Sequence, residues 1–241
     1  DVLRGAALLG ILLVNVQLMA GPQVIEQLFG LRDVAASTLE RVIGGLIGWL
    51  VAGKFISSFS ILFGVGAALI AERALARGRA PRRLLARRYG LLMLVGLAHM
   101  VLLFPGDVLF LYGVTGLVLL AFLRARDRTL GVWIIALLVL SAVALTALTV
   151  AEAGTDIDAA TMELVTTALA DAELSYATGA YGGVLVWQAL QSLFIQSSAL
   201  VSLPWTLALF LIGVLAHRRG LSLDQAGGRA TLVRLARVAL P

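Results

Sequence analysis

Six apolar runs separated by clusters of arginine constrain this chain more than any other feature it carries. They are Arg4 to Ala20, Phe55 to Ala71, Tyr89 to Phe104, Val108 to Leu123, Leu130 to Val150 and Ala199 to Ala216. Each approaches the roughly 20 apolar residues that a helix needs to cross a bilayer. The chain is 60% hydrophobic and 14% charged, against about 45–50% and about 25% in a soluble domain. That balance excludes a soluble enzyme, a nucleic-acid-binding module and a disordered tail. The expected fold is all-α: a single polytopic transmembrane helical bundle over residues 1–241, with six spans. The chain opens on Asp1, not Met, and stops at Pro241 after a basic stretch. The expectation is therefore the N-terminal part of a longer protein, with further helices beyond.

Orientation follows from where the cations fall. With the N-terminus cytoplasmic, 16 of the 19 Lys and Arg residues lie inside, and ten of the fourteen acidic residues lie outside. Such a bias predicts the topology of multi-pass proteins. Two outer segments, 21–54 and 151–198, are too long for simple turns. The first carries the short apolar stretch Val42 to Ala52, and the second becomes amphipathic from Leu185 to Ile195. Amphipathic interfacial helices are expected on the outer side, with a lid over an outward cavity as the alternative. Pro204 is expected to kink or start the sixth span.

Polar side chains inside a span are costly and mark functional candidates. Arg4 and Asn15 are eleven residues apart, about three helical turns, so they share a face about 16 Å apart. Arg88 and His99 repeat that spacing in the third run. The arginines also suit snorkelling anchors, and Asn15 also suits an interhelical hydrogen bond. His99 needs a partner, and Asp107, just past Pro105-Gly106, is placed to provide one across a tight hairpin. A histidine oriented by a carboxylate is the smallest general-base unit. Asp107 equally suits an N-cap for the fourth helix. Tyr112 suits either the same cavity or packing. Ser57, Ser58 and Ser60, with Gly64 and Gly66, suit either close helix packing or the hydroxyl-lined wall of a substrate passage. His217 reads as a helix-end residue. No metal-ligand cluster, phosphate loop or dinucleotide fingerprint is present in the sequence.

Several stretches together resemble the YeiB-like family of bacterial polytopic membrane proteins, a domain of unknown function. They are Asp1-Val-Leu-Arg4-Gly5 through Asn15, Phe59-Ser60-Ile-Leu-Phe63-Gly64-Val-Gly66, Gly96-Leu-Ala-His99, Gly106-Asp107 through Tyr112, and Leu211-Ile-Gly213 through Arg218. The opening Asp1, Arg4 and Gly5 also look like the first helix of OafA-like O-acyltransferases and of the heparan glucosaminide N-acetyltransferase group. The resemblance implies a multi-pass protein of a bacterial inner membrane. It further implies transfer of an acyl group, acetyl above all, from cytoplasmic acyl-CoA to an extracytoplasmic glycan or lipid acceptor. Where the OafA-like pattern has a histidine, this chain has Asn15, which moves the base to His99.

The candidate site residues divide by role. His99, Asp107 and Asn15 would be catalytic. Arg4, Arg87 and Arg88 would hold the phosphates of acyl-CoA. Ser57, Ser60 and Tyr112 would line the substrate path. The partners expected are the lipid bilayer and the acceptor, with no nucleic acid, and a homo-oligomer stays open. A transporter using the same polar residues is the alternative function, and a scaffold in which they only join helices is a third.

Overall fold

In a computed structural model, the structure describes residues 53–153, 158–179 and 181–221 together with isolated positions before them (5, 9, 12, 15, 37–39, 42 and 45). All regular structure among the described residues is helical. The helices are α1 (Gly53–Ala76), α2 (Pro81–Leu102), α3 (Leu109–Leu119), α4 (Asp127–Ala153), α5 (Ala159–Thr178) and α6 (Tyr181–Arg218), with a 3₁₀ turn at Leu120–Phe122 after α3. Four stretches are long and apolar enough to cross a membrane: Ile56–Ala76, Pro81–Leu102, Asp127–Ala151 and Val201–Arg218.

The fourth apolar run departs from expectation. Helix α3 has 11 residues, about 16 Å of rise, which is roughly half the thickness of a bilayer core. It packs instead beside α2, with Gly113 against Met93 and Gly116 against the Tyr89 ring, and a 3₁₀ turn follows it. Most of the first run, Arg4 included, lies outside the described residues. The six-span count therefore reduces to four spanning candidates and one short apolar helix among the described residues.

Most of the arginines between the second and third apolar runs sit on helices. Helix α1 runs on to Ala76, and a left-handed Gly78 (φ 65°) reverses the chain. The amides of Gly78 and Arg79 bond back to the carbonyls of Leu75 and Ala74, both at 2.9 Å, the double closure typical of a glycine-terminated helix. Pro81 then opens α2, where a missing N–H costs nothing. Only Arg77 to Ala80 separates the two helices.

Close backbone approach organises the bundle. A methyl group on Gly64 of α1 would run into the Phe210 carbonyl of α6, and one on Gly213 of α6 would run into the Ile61 carbonyl of α1. Those two glycines let α1 and α6 cross backbone to backbone. The α2–α3 hairpin uses the same device: Gly96 faces the backbone of Leu109 and Phe110, and Gly113 faces Met93. Beside the α1–α6 crossing lies an aromatic core. Phe63 stacks on Phe210 at 4.7 Å and meets Tyr112 edge-on at 5.4 Å. Ser60 and Tyr112 are both buried there, joined hydroxyl to hydroxyl at 2.5 Å, with Ser60 donating to the Ile56 carbonyl at 2.8 Å.

Helix α6 corrects two expectations. The amphipathic stretch around Leu185 to Ile195 forms no separate interfacial helix. It is the first half of a continuous 38-residue α6. Pro204 neither starts nor ends that helix but sits inside it. Proline leaves the carbonyl four residues before it without its amide partner, and α6 continues through it regardless. The acidic segment before it forms α5, which Asp158 caps by accepting the Thr161 amide at 2.6 Å.

The arginines gather at one end of this bundle. There His217 of α6 bonds Glu72 of α1 at 2.8 Å, so it is a helix-joining residue as well as a helix-end one. Arg218 donates to the carbonyls of Leu123 (2.8 Å) and Ala125 (2.7 Å) and lies 3.3 Å from Asp127. One guanidinium thus ties α6 to the turn that leads into α4. The outer face of α4 (Val132, Ile135, Val139, Val143) is apolar and exposed.

Candidate functional site

The site sits at the opposite end, where α2 turns into α3. His99 occupies the last turn of α2 and Asp107 the turn that follows. Two glycines make their meeting geometrically feasible. Gly96 admits the start of α3 against α2, and Gly106 leaves room for the Phe104 ring, whose nearest carbon would be 2.7 Å from a methyl group there. Within that hairpin His99 Nδ1 and Asp107 Oδ2 lie 2.7 Å apart. Asp107 is 5% exposed, and the His99 side chain is 36% exposed. The edge of Phe104 packs on the imidazole with ring centroids 6.4 Å apart.

Asp107 serves both roles that the sequence allowed it. Its second oxygen, Oδ1, accepts the Phe110 amide at 2.8 Å, which satisfies one of the free N–H groups at the start of α3. An ionised carboxylate only accepts hydrogen bonds, so Nδ1 of His99 is the donor in this pair, and in the neutral imidazole that leaves the lone pair on Nε2. The cap holds the carboxylate still, and the carboxylate holds the imidazole in one tautomer. That is the geometry of an oriented general base.

A polar seam from α6 closes the end of α2. The phenol of Tyr181 donates to the Leu102 carbonyl at 2.8 Å, and the amide of Gln188 donates to Leu103 at 3.3 Å. The Ser192 hydroxyl lies 3.1 Å from the Met100 carbonyl and 2.6 Å from the Gln188 carbonyl. These groups take up carbonyls that a helix terminus leaves free, and they fasten the turn that carries His99. One turn along, Gln191 is fully buried and donates to the Tyr176 hydroxyl of α5 at 3.4 Å. Sequence reasoning passed over Gln188, Gln191 and Ser192, although their spacing puts all three on one helical face.

The remaining candidates fall elsewhere. Arg87 and Arg88 are exposed on α2 towards its basic end, about 16 Å along the axis from His99 in the case of Arg88. Asn15 is helical and half-buried, with its sequence neighbours outside the described residues. Arg4 lies outside them. Ser57 is half-buried on α1, while Ser60 and Tyr112 spend their hydroxyls on each other and on the Ile56 carbonyl. The structure brings His99 and Asp107 together and leaves Ser60 and Tyr112 in the α1–α3–α6 core. Among the described residues no group of three or more His, Cys, Asp or Glu is placed to hold a metal ion.

Comparison with known proteins gives three relatives with no stated activity. The chain is 34% identical to the uncharacterized protein YxaH of Bacillus subtilis (strain 168) over 143 residues, 58% of this chain and 36% of YxaH. It is 35% identical over 128 residues to an uncharacterized 39.9 kDa protein in the amylase 3'region of Bacillus acidopullulyticus, covering 34% of that protein. It is 33% identical over 124 residues to the uncharacterized protein YeiB of Escherichia coli (strain K12), covering 49% of this chain and 29% of YeiB. The matches span about a third of the length of these relatives. No protein-family model matches the chain, and no solved structure does. The YeiB-like resemblance read from the residues is thus supported by homology over about half of the sequence.

Proposed function

We propose that this relative of the YeiB-like proteins is a multi-pass acyltransferase of a bacterial inner membrane. In this reading the N-terminal side and the arginine-rich end face the cytoplasm, and His99 lies towards the other face. The donor is acyl-CoA, with acetyl as the acyl group, and the acceptor is the hydroxyl or amine of an extracytoplasmic glycan or lipid. One observation carries the reading: a buried carboxylate orients a half-exposed histidine at 2.7 Å, at the end of the bundle away from the arginines.

Each residue then has a chemical part. Nε2 of His99 takes the proton as the acceptor oxygen or nitrogen attacks the thioester carbonyl. The new C–O or C–N bond forms, the C–S bond breaks, and the proton passes to the leaving sulfur. Asp107 steadies the imidazolium that forms in between. Asn15 is assigned to the developing oxyanion. Arg4, Arg87 and Arg88 are assigned to the donor phosphates; exposed and without a carboxylate partner among the described residues, Arg87 and Arg88 suit that chemistry. Ser60 and Tyr112 are given a structural part, because their hydroxyls already have partners.

The test uses the full-length protein in sealed proteoliposomes, with labelled acetyl-CoA supplied separately to each side. Thioester loss only from the arginine-rich side, abolished in His99→Ala, is the expected result. Wild-type protein that leaves acetyl-CoA intact but carries a solute down its gradient would replace this reading with a transporter.

A further inference from the structure

The arginine-rich end holds a second feature that the acyl-transfer reading does not use. A cleft of about 130 Å³ opens where α1 hands over to α2. It is lined by Arg73, Arg77 and Arg79 together with Ile70, Ala74 and Leu84. Arg73 lies in the last turn of α1 and Arg77 just past its end, and the glycine-terminated turn carries Arg79 back towards them. None of the three meets a carboxylate among the described residues. The nearest acid on α1, Glu72, is engaged by His217. Three guanidiniums with no counter-charge around one opening favour an anion of high charge density, and guanidinium geometry matches phosphate oxygens in pairs. The other three lining residues are apolar, and Leu84 among them is exposed, as is Leu75 beside Ala74. An occupant with a phosphate above an apolar chain therefore fits both halves of the cleft.

We infer that this cleft is a phosphate-binding site for an anionic amphiphile, the headgroup of an acidic phospholipid, with Arg73, Arg77 and Arg79 as its ligands. Basic pockets between helices at a membrane surface recognise such headgroups. A free phosphate offers the same oxyanion without the chain, so the experiment separates the two sources.

Native mass spectrometry of the full-length protein in detergent would be titrated with phosphatidylglycerol, with phosphatidylcholine, and with inorganic pyrophosphate as competitor. The cleft variant is Arg73→Gln/Arg77→Gln/Arg79→Gln. The charge-matched control is Arg82→Gln/Arg83→Gln/Arg126→Gln, three exposed arginines outside the cleft. Each guanidinium near a headgroup is worth about fivefold in affinity, so the cleft variant should lose phosphatidylglycerol on the order of 100-fold. The control should lose far less, and phosphatidylcholine should bind weakly to all three proteins. Should the triple variant fail to fold, Arg77→Gln alone should still show about a fivefold loss. Pyrophosphate displacing the lipid from wild type but not from the cleft variant would keep the anion site and make its occupant a soluble phosphate. Equal losses in the cleft and control variants would overturn the site, as would wild-type protein that neither prefers phosphatidylglycerol nor binds pyrophosphate.

Discussion

His99 and Asp107 are joined at 2.7 Å by one carboxylate oxygen while the other oxygen of Asp107 holds the first turn of α3 at 2.8 Å. A single buried side chain thus both builds the hairpin and sets the tautomer of the histidine beside it. The two functions are separable by substitution. Asp107→Asn keeps an oxygen for the Phe110 amide but can turn its NH₂ towards His99, which makes Nδ1 an acceptor and places the proton on Nε2. Asp107→Ala loses the cap as well. Thermal unfolding in detergent should show Asp107→Ala losing about 1–2 kcal/mol and Asp107→Asn less, whereas both should lose acyl-transfer turnover.

The α1–α6 crossing makes a sharper stability prediction. Gly64→Ala and Gly213→Ala would each put a methyl group into backbone, not into a movable side chain. Gly90→Ala and Gly131→Ala meet nothing within 4 Å and serve as controls in helices of their own. The first pair should cost about 1–3 kcal/mol each, and the second pair should be neutral or slightly stabilising. Unfolding midpoints of the four single variants would check this, and equal effects would mean that the helices do not cross at those glycines.

In the aromatic core, Tyr112→Phe removes one hydroxyl of the Ser60–Tyr112 pair and leaves Ser60 bonded to the Ile56 carbonyl. The expected loss is small, about 0.5–1.5 kcal/mol, because no buried group is left without a partner. Activity should survive in Tyr112→Phe, since the structure gives that hydroxyl to packing. Loss of turnover without loss of stability would return Tyr112 to the substrate path.

The start of α5 carries a pH dependence. The backbone N–H of Thr161 holds the Asp158 carboxyl below its ordinary value. A carboxylate lowered by folding adds stability above its unfolded pKa and loses it as pH falls through the folded value. Protection of the Thr161 amide, its exchange rate taken relative to an unstructured amide at the same pH, should therefore hold at neutral pH and fall as the solution is acidified below the usual aspartate range. Asp158→Ala should remove that dependence.

How much of this was legible beforehand depended on whether the signal was local. The Pro105-Gly106 turn sits between His99 and Asp107 in the sequence, so their pairing follows from a hairpin alone, and it is the feature the structure reproduces most directly. The helical, strongly apolar character was equally plain. Helix lengths were not, because an apolar run of sixteen residues reads the same whether it crosses a bilayer or, like α3, packs beside α2 for eleven. Pro204 misled for a related reason: its rule is local, and α6 continues through it. The seam of Gln188, Gln191 and Ser192 was hidden among flanking Leu, Val and Trp, and its meaning depends on where α2 ends, about 90 residues earlier in the chain.

The central claim is that the oriented imidazole of His99 drives acyl transfer. Thioester loss from acetyl-CoA, with an acceptor-bearing membrane extract, tests it most directly when wild type is compared with His99→Ala in full-length protein of equal folded content. Removal of a general base should slow turnover by about 10²- to 10⁴-fold. Turnover in His99→Ala equal to wild type would contradict the account.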